Sequence, residues 1–144
     1  MGNKSLAAGA SLLIGATYVA VGFIGFFVTG FGGALTGEHG DNILGISINQ
    51  FHNLAHLGIG LFLVIMSLQK NDAAAEGAVM GVGLFYVVAF VIGVTGPDNL
   101  TILSIHGEGE AANFFHLISG VFLLTVGLLS SGATASNMKK RGLA

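Results

Sequence analysis

The chain of 144 residues is 53% hydrophobic and only 8% charged, with a mean hydropathy of +0.83. Soluble domains carry about 25% charged residues, so this composition excludes an ordinary soluble domain, and its hydrophobicity excludes a disordered chain. There is no cysteine for a disulfide or a thiolate metal site. With a net charge of −2 we expect no nucleic-acid partner, because phosphate binding needs clustered lysine and arginine. The predicted environment is the lipid bilayer.

Four apolar stretches are long enough to cross a bilayer, whose hydrocarbon core needs about 20 residues of helix. In chain order they are residues 6–31, 50–68, 77–95 and 111–129, and every acidic and basic residue lies outside them. The first stretch is too long for the apolar core of a signal peptide, so we interpret it as a retained helix. The sequence predicts one all-α domain over residues 1–144 with four transmembrane helices, ending in a flexible basic tail over residues 132–144.

The positive charges orient the predicted helices. No lysine or arginine occurs in the loop between helices one and two or in the loop between helices three and four, although both loops carry acidic residues. Under the positive-inside rule, both termini are cytoplasmic and both long loops lie outside. The residues on the inner side are Lys4, Lys70, Lys139, Lys140 and Arg141.

The two halves of the chain, about residues 1–70 and 71–137, resemble each other. The same blocks occur in the same order in both, which indicates a duplicated helical hairpin. Because each half has two spans, the halves keep the same orientation and their axis runs along the membrane normal. The matched residues include Gly15 with Gly83, Tyr18 with Tyr86, Asn53 with Asn113 and His56 with His116.

Two segments of the outer loops, residues 43–48 and 100–105, are rich in β-branched residues and partly alternate in polarity. This pattern is typical of short strands or of interfacial segments. We expect them to cap the outer end of the bundle.

A polar stripe follows one face of helix two and one face of helix four. Lipid-facing polar groups are costly, so the stripe should point into the bundle. The first interpretation is structural: the side chains hydrogen-bond helices two and four together, and His56→Leu or His116→Leu costs about 1–3 kcal/mol. The stripe consists of Asn49, His52, Asn53, His56, Gly60 and Ser67 on helix two, and Asn113, His116, Gly120, Gly127 and Ser131 on helix four.

The alternative interpretation of the stripe is a ligand site near the outer face. His52 and His56 are four residues apart on one helix face, and with His116 they would offer three imidazoles to Zn or Cu. A symmetric pair of His56 and His116 suits axial ligation of haem or another tetrapyrrole better. The structural interpretation needs no cofactor. We find no nucleophile, phosphate-binding or metalloprotease motif, so the sequence does not predict an enzyme.

The segments around Asn49-Gln-Phe-His52-Asn53-Leu-Ala-His56-Leu57 and Asn113-Phe-Phe-His116-Leu117 are similar to the two signatures of a bacterial four-helix membrane family catalogued as domain of unknown function 4383. Val28-Thr29-Gly30-Phe31 is similar too, so the resemblance covers nearly the whole chain. Members of that family often have aspartate where this chain has Ala112. The resemblance implies a four-helix topology in a bacterial inner membrane, and it implies no activity.

Three functions follow from these patterns. The first is a non-enzymatic structural or accessory subunit of a larger membrane assembly, with a membrane protein or a second copy as its partner. The second is a membrane protein that holds a metal or a tetrapyrrole through histidine. The third is a small channel or transporter. It has the weakest support, because no charged residue lies inside a predicted span.

Overall fold

A computed structural model of the chain describes residues 5–32, 41–43, 45–96, 111–140 and 142. Within these ranges the chain forms four helices, each long and apolar enough to span a membrane. The predicted all-α, multi-pass architecture is confirmed. The elements in chain order are α1 (Leu6–Thr29), β1 (Asp41–Ile43), β2 (Ile46–Ile48), α2 (Gln50–Ser67), α3 (Asp72–Thr95) and α4 (Ala111–Lys140).

Polar side chains fix the starts of the first three helices. The side chains of Ser5, Asn49 and Asn71 accept hydrogen bonds from backbone N–H groups in the first turns of α1, α2 and α3. Such caps satisfy donors that a helix start leaves without an intrahelical acceptor. Asn49, which the sequence places on the polar stripe, is therefore the cap that positions the first turn of α2.

Glycine pairs bring the two helices of each hairpin together. A Cβ atom on Gly60 would lie 2.6 Å from the backbone nitrogen of Val19 and 2.7 Å from the carbonyl oxygen of Gly15. A Cβ atom on Gly83 would lie 3.0 Å from the carbonyl oxygen of Gly120. Only glycine permits backbones to approach this closely. The α1–α2 and α3–α4 crossings use matched residues, so the duplication seen in the sequence is also present in the packing.

The two hairpins pack against each other more loosely than the helices within them. α1 and α3 each pack against every other helix, whereas α2 and α4 have at most minor contacts with each other. The apolar core between the hairpins is built on fully buried Leu63, Val79 and Leu123. Asn53 of the polar stripe bonds to α1 rather than to α4, and the joining of α2 and α4 by the stripe stays a prediction.

The segment before α2 forms a small antiparallel hairpin. Asp41 pairs with Ile48 and Ile43 pairs with Ile46, around a turn in which Gly45 has φ of +85°. This positive φ favours glycine. β1 contacts α1, β2 contacts α4, and Ile48 is buried. The segment over residues 43–48 therefore does cap the bundle, while residues 100–105 lie outside the described ranges.

Two boundaries differ from the sequence prediction. α3 begins at Asp72 rather than near residue 77, because Asn71 caps it and alanines fill its first turn. α4 continues to Lys140, so residues 132–140 are helical rather than a flexible tail. Residues 133–141 contain neither glycine nor proline, and nothing in that sequence stops a helix that has already been nucleated.

The earlier start of α3 brings a carboxylic acid into the bundle. Glu76 is buried and accepts a hydrogen bond of 3.2 Å from the hydroxyl of Ser130, whose oxygen accepts one of 3.3 Å from the Ala7 backbone N–H. We call this contact between α1, α3 and α4 the inner clasp. The sequence prediction that every acidic residue lies outside the helices is therefore wrong for Asp72 and Glu76.

Candidate functional site

The structure brings the three stripe histidines to one place between the hairpins. His52, His56 and His116 line two adjoining spaces of about 40 and about 150 Å³, which we call the histidine cavity. His56 lies six residues into α2 and His116 five residues into α4, so both are about 7–9 Å below the outer helix ends. Tyr86 of α3 lines both spaces, and Tyr18 of α1 lines the larger one.

Five aromatic rings form a continuous row across the cavity. From one hairpin to the other, the ring centroids of His52 and His56 are 4.5 Å apart, those of His56 and Tyr18 5.0 Å, those of Tyr18 and Tyr86 5.7 Å, and those of Tyr86 and His116 5.3 Å. All four separations lie in the range that aromatic pairs prefer. The row follows the duplication, since each hairpin contributes one matched tyrosine and one matched histidine.

The row is asymmetric at one end. His52 extends it in the first hairpin, whereas the position that matches His52 in the second hairpin is Ala112. Ala112 itself lines the larger space of the cavity. The second hairpin therefore offers open volume where the first offers an imidazole.

Two nitrogen atoms in this cavity lack hydrogen bonds. The Nδ1 atoms of His56 and His116 are both buried and have no partner among the residues that the structure describes. An unsatisfied buried polar atom costs about 1–3 kcal/mol, and such atoms are rare in folded proteins. Two matched atoms of this kind, in side chains that line one cavity, indicate imidazoles that would gain hydrogen bonds by turning toward a bound molecule.

The two matched asparagines have a different task. Asn53 lies against Gly25, and its amide donates a hydrogen bond of 2.9 Å to the hydroxyl of Thr29, so it joins α2 to α1. Asn113 packs in the same way against Gly93 of α3. Each asparagine thus fixes its own hairpin, whereas the histidines line the cavity between the hairpins.

Sequence reasoning missed two site residues and one buried contact. Tyr18 and Tyr86 are matched in the duplication, and that match was the signal that places them with His56 and His116. The sequence signal for the inner clasp is weaker, because α4 carries two adjacent serines. The helical pattern of the polar stripe favours Ser131, whereas the clasp uses Ser130. Ser130 is buried, whereas the Ser131 hydroxyl bonds only to the Leu128 carbonyl of its own helix.

The cavity does not resemble a metal centre. Among the described residues, no group of three or more histidine, aspartate or glutamate side chains lies close enough to hold a metal ion. The predicted Zn or Cu set of His52, His56 and His116 is therefore not assembled here. The two other histidines of the chain, His39 and His106 in the predicted outer loops, lie outside the described ranges.

A tetrapyrrole does not fit the described arrangement either. Axial ligation by His56 and His116 needs room for a flat macrocycle between the two imidazoles. The larger space is about 150 Å³, below the roughly 300 Å³ at which pockets for drug-sized ligands begin. The cavity has room for a molecule of about one small ring.

The comparison with protein families assigns the chain to a family. The model of DUF4383, a domain of unknown function, matches residues 9–129. The chain belongs to the DUF4383 family. The match includes all of α2 and α3, most of α1 and α4, and every residue of the histidine cavity, as the resemblance of the two histidine signatures predicted. Neither the comparison with curated proteins nor the comparison with solved structures finds a match.

Proposed function

We propose that this protein is a non-enzymatic membrane subunit that holds a small neutral ligand in the histidine cavity. The observation that carries the proposal is the pair of buried, unpartnered Nδ1 atoms of His56 and His116 beside that cavity. A neutral imidazole nitrogen donates or accepts one hydrogen bond according to its tautomer. A ligand that supplies the missing partners would recover about 1–3 kcal/mol at each nitrogen.

A binding role explains why the nitrogens remain unsatisfied. An imidazole that only held the bundle together would be expected to have a protein partner, as Asn53 has in Thr29. Among the described residues, the Ser119 hydroxyl lines the cavity without a hydrogen bond to any of its histidines, and no group of three metal ligands is present. Binding without chemical conversion is therefore the function that this arrangement favours.

Replacing either histidine should remove binding without weakening the fold. His56→Leu and His116→Leu each delete a buried nitrogen that has no hydrogen bond, so we expect a melting temperature equal to or above that of the wild type. This reverses the sign that the sequence alone predicts. Native mass spectrometry of protein extracted gently from its own membrane should show a non-protein mass on the wild type and none on either variant.

The matched control for these variants is Asn53→Leu, one turn before His56 on α2. It removes a hydrogen bond between helices and should lower the melting temperature. A wild type that carries no additional mass, or histidine variants that retain it, would contradict the proposal. The elution position of the same sample reports whether the subunit travels in a larger assembly.

The accessory-subunit role is favoured by the outer half of α1. Phe23 and Phe27 of α1 and Phe31 just after its end are each more than half exposed, and the Phe27 ring packs against the other two. Aromatic residues are enriched where membrane proteins meet partners or the interface. We propose that this side of α1 faces a membrane-protein partner or a second copy.

We also propose that the protein lies in a bacterial inner membrane with both termini in the cytoplasm. The ends of α1, α3 and α4 that meet at the inner clasp lie on the same side of the bundle as Lys70 and Lys139. A C-terminal alkaline phosphatase fusion, which is active only outside the cytoplasm, should therefore remain inactive. The same reporter inserted between residues 33 and 40 should be active, and the opposite result would reverse the orientation.

A further inference from the structure

A groove on the membrane-facing surface runs between α2 and α3. Its volume is about 180 Å³, and its walls include Ile59 and Phe62 of α2 and Gly77, Gly81 and Phe85 of α3. A Cβ atom on Gly77 or Gly81 would meet nothing within 4 Å, so these glycines leave the groove open. From Gly77 to Phe85 the groove follows α3 for about 12 Å.

This groove adjoins the histidine cavity. Ile59 and Phe85 form its outer end and also line the smaller space of the cavity. The described residues thus provide a chamber lined by three imidazoles, two phenol rings, the Ser119 hydroxyl and otherwise apolar side chains, next to an apolar groove that shares two side chains with it. A molecule with a compact polar end and a long apolar end would fill both.

The matched groove between α1 and α4 has a similar volume, about 200 Å³, but extends less far along its first-hairpin helix. Between α1 and α4 the lining residues of α1 extend only from Ile14 to Tyr18, about 6 Å along the helix. The residue that matches Gly81 in the duplication is Leu13. A leucine at that position is therefore compatible with the fold, and its absence from α3 lengthens the α2–α3 groove.

The chamber selects the chemistry of the polar end. No charged side chain occurs among its described lining residues, and a charged group without a partner in such a site is very costly. This argues against a phosphate or an ammonium head group. Two imidazole nitrogens that can donate hydrogen bonds, in a row of aromatic rings, fit a neutral planar ring that carries carbonyl oxygens.

We propose that the histidine cavity and the α2–α3 groove form one binding site for a prenylated quinone of the membrane. The quinone ring occupies the cavity with its carbonyl oxygens at His56 and His116, and the tail lies in the groove over Gly77 and Gly81. The inference rests on the proposed function, because it names the ligand of the same cavity, and it adds the tail site.

The chain provides its own optical probe for this test. It contains no tryptophan and only two tyrosines, Tyr18 and Tyr86, and both line the cavity. With excitation at a wavelength that tyrosine absorbs and the eleven phenylalanines do not, the emission therefore originates at the proposed site, and quinones quench such emission on contact. The full chain, purified in detergent, would be titrated with decylubiquinone and with 2,3-dimethoxy-5-methyl-1,4-benzoquinone, which has the same ring and no tail.

We expect saturable quenching by both quinones, with the tailed compound at least tenfold more potent. Gly81→Leu, which fills the groove, should raise the half-quenching concentration of decylubiquinone at least tenfold and leave the tailless compound unchanged. The matched control is Gly9→Leu, since Gly9 corresponds to Gly77 in the other hairpin and also has no neighbour within 4 Å. This control should change neither titration. Comparing variants with the same quinone cancels its partition into detergent.

The possible failures are distinguishable. Equal potency of decylubiquinone on the wild type and Gly81→Leu would overturn the tail site, while the tailless titration and its loss in His116→Leu would still support the cavity. Loss of a dimer in Gly81→Leu would show that a second copy covers the groove and would overturn the inference. Absence of saturable quenching by both compounds would exclude a quinone. The non-protein mass seen by native mass spectrometry on the gently extracted protein would then test the proposed function independently.

Discussion

Replacing Gly60 with leucine should prevent the chain from forming a stable bundle. Even a Cβ atom at this position would lie within 2.7 Å of backbone atoms of Val19 and Gly15. Backbone atoms of a membrane helix cannot move aside like a flexible side chain, so α1 and α2 would have to separate along their contact. Overpacking a core costs about 1–3 kcal/mol and occasionally more, and we expect at least 3 kcal/mol here.

Gly58→Leu is the matched control for Gly60→Leu. Gly58 lies on the same helix, two residues away, and has no atom within 4 Å of its Cβ position. Leucine there replaces a poor helix former with a good one, so the free energy of unfolding should stay the same or rise. The measurement is unfolding of both variants in mixed micelles by a denaturing detergent. Similar losses for the two variants would contradict the close α1–α2 crossing.

The four spans and the duplication could be predicted from the sequence because both depend on local patterns. Apolar length decides whether a helix crosses the bilayer, and the matched blocks show the repeat without any structure. The short segment before α2 was also predictable, since its β-branched residues alternate around Gly45. These features needed no knowledge of which helices pack together.

The partners of each polar residue could not be predicted, because they depend on how the hairpins pack. Asn53 and His56 share one face of α2, yet Asn53 faces α1 and His56 faces the cavity. The sequence treats both as one stripe. Only the distances of Gly25 and Tyr18 from these side chains distinguish a structural residue from a binding residue.

The phase of α4 explains why the sequence pattern favours Ser131 over Ser130. A straight helix of 3.6 residues per turn places Ser131 five turns after Asn113 on the same face, and Ser130 about 100° away. The buried positions on α4 are nevertheless 112, 113, 120, 123, 126, 127 and 130. Packing, rather than the isolated helix, decides between them.

Ser130→Ala should destabilise the inner end of the bundle, and Ser131→Ala should not. The Ser130 hydroxyl donates to Glu76 and accepts from the Ala7 backbone N–H, so its loss leaves a buried carboxylate and a helix-terminal donor each one partner short. Such a loss costs about 1–3 kcal/mol. Ser131 bonds only to a carbonyl of its own helix, and its replacement by alanine should change the free energy of unfolding by less than about 0.5 kcal/mol. Both changes remove one oxygen and leave the volume nearly unchanged, so a difference between them isolates the clasp.

Amide hydrogen exchange should place the effect of Ser130→Ala in the first turns of α1 and α3. Exchange that increases equally over all helices would contradict a local role, because the clasp joins only the inner ends and leaves the histidine cavity to the row of rings at the outer end.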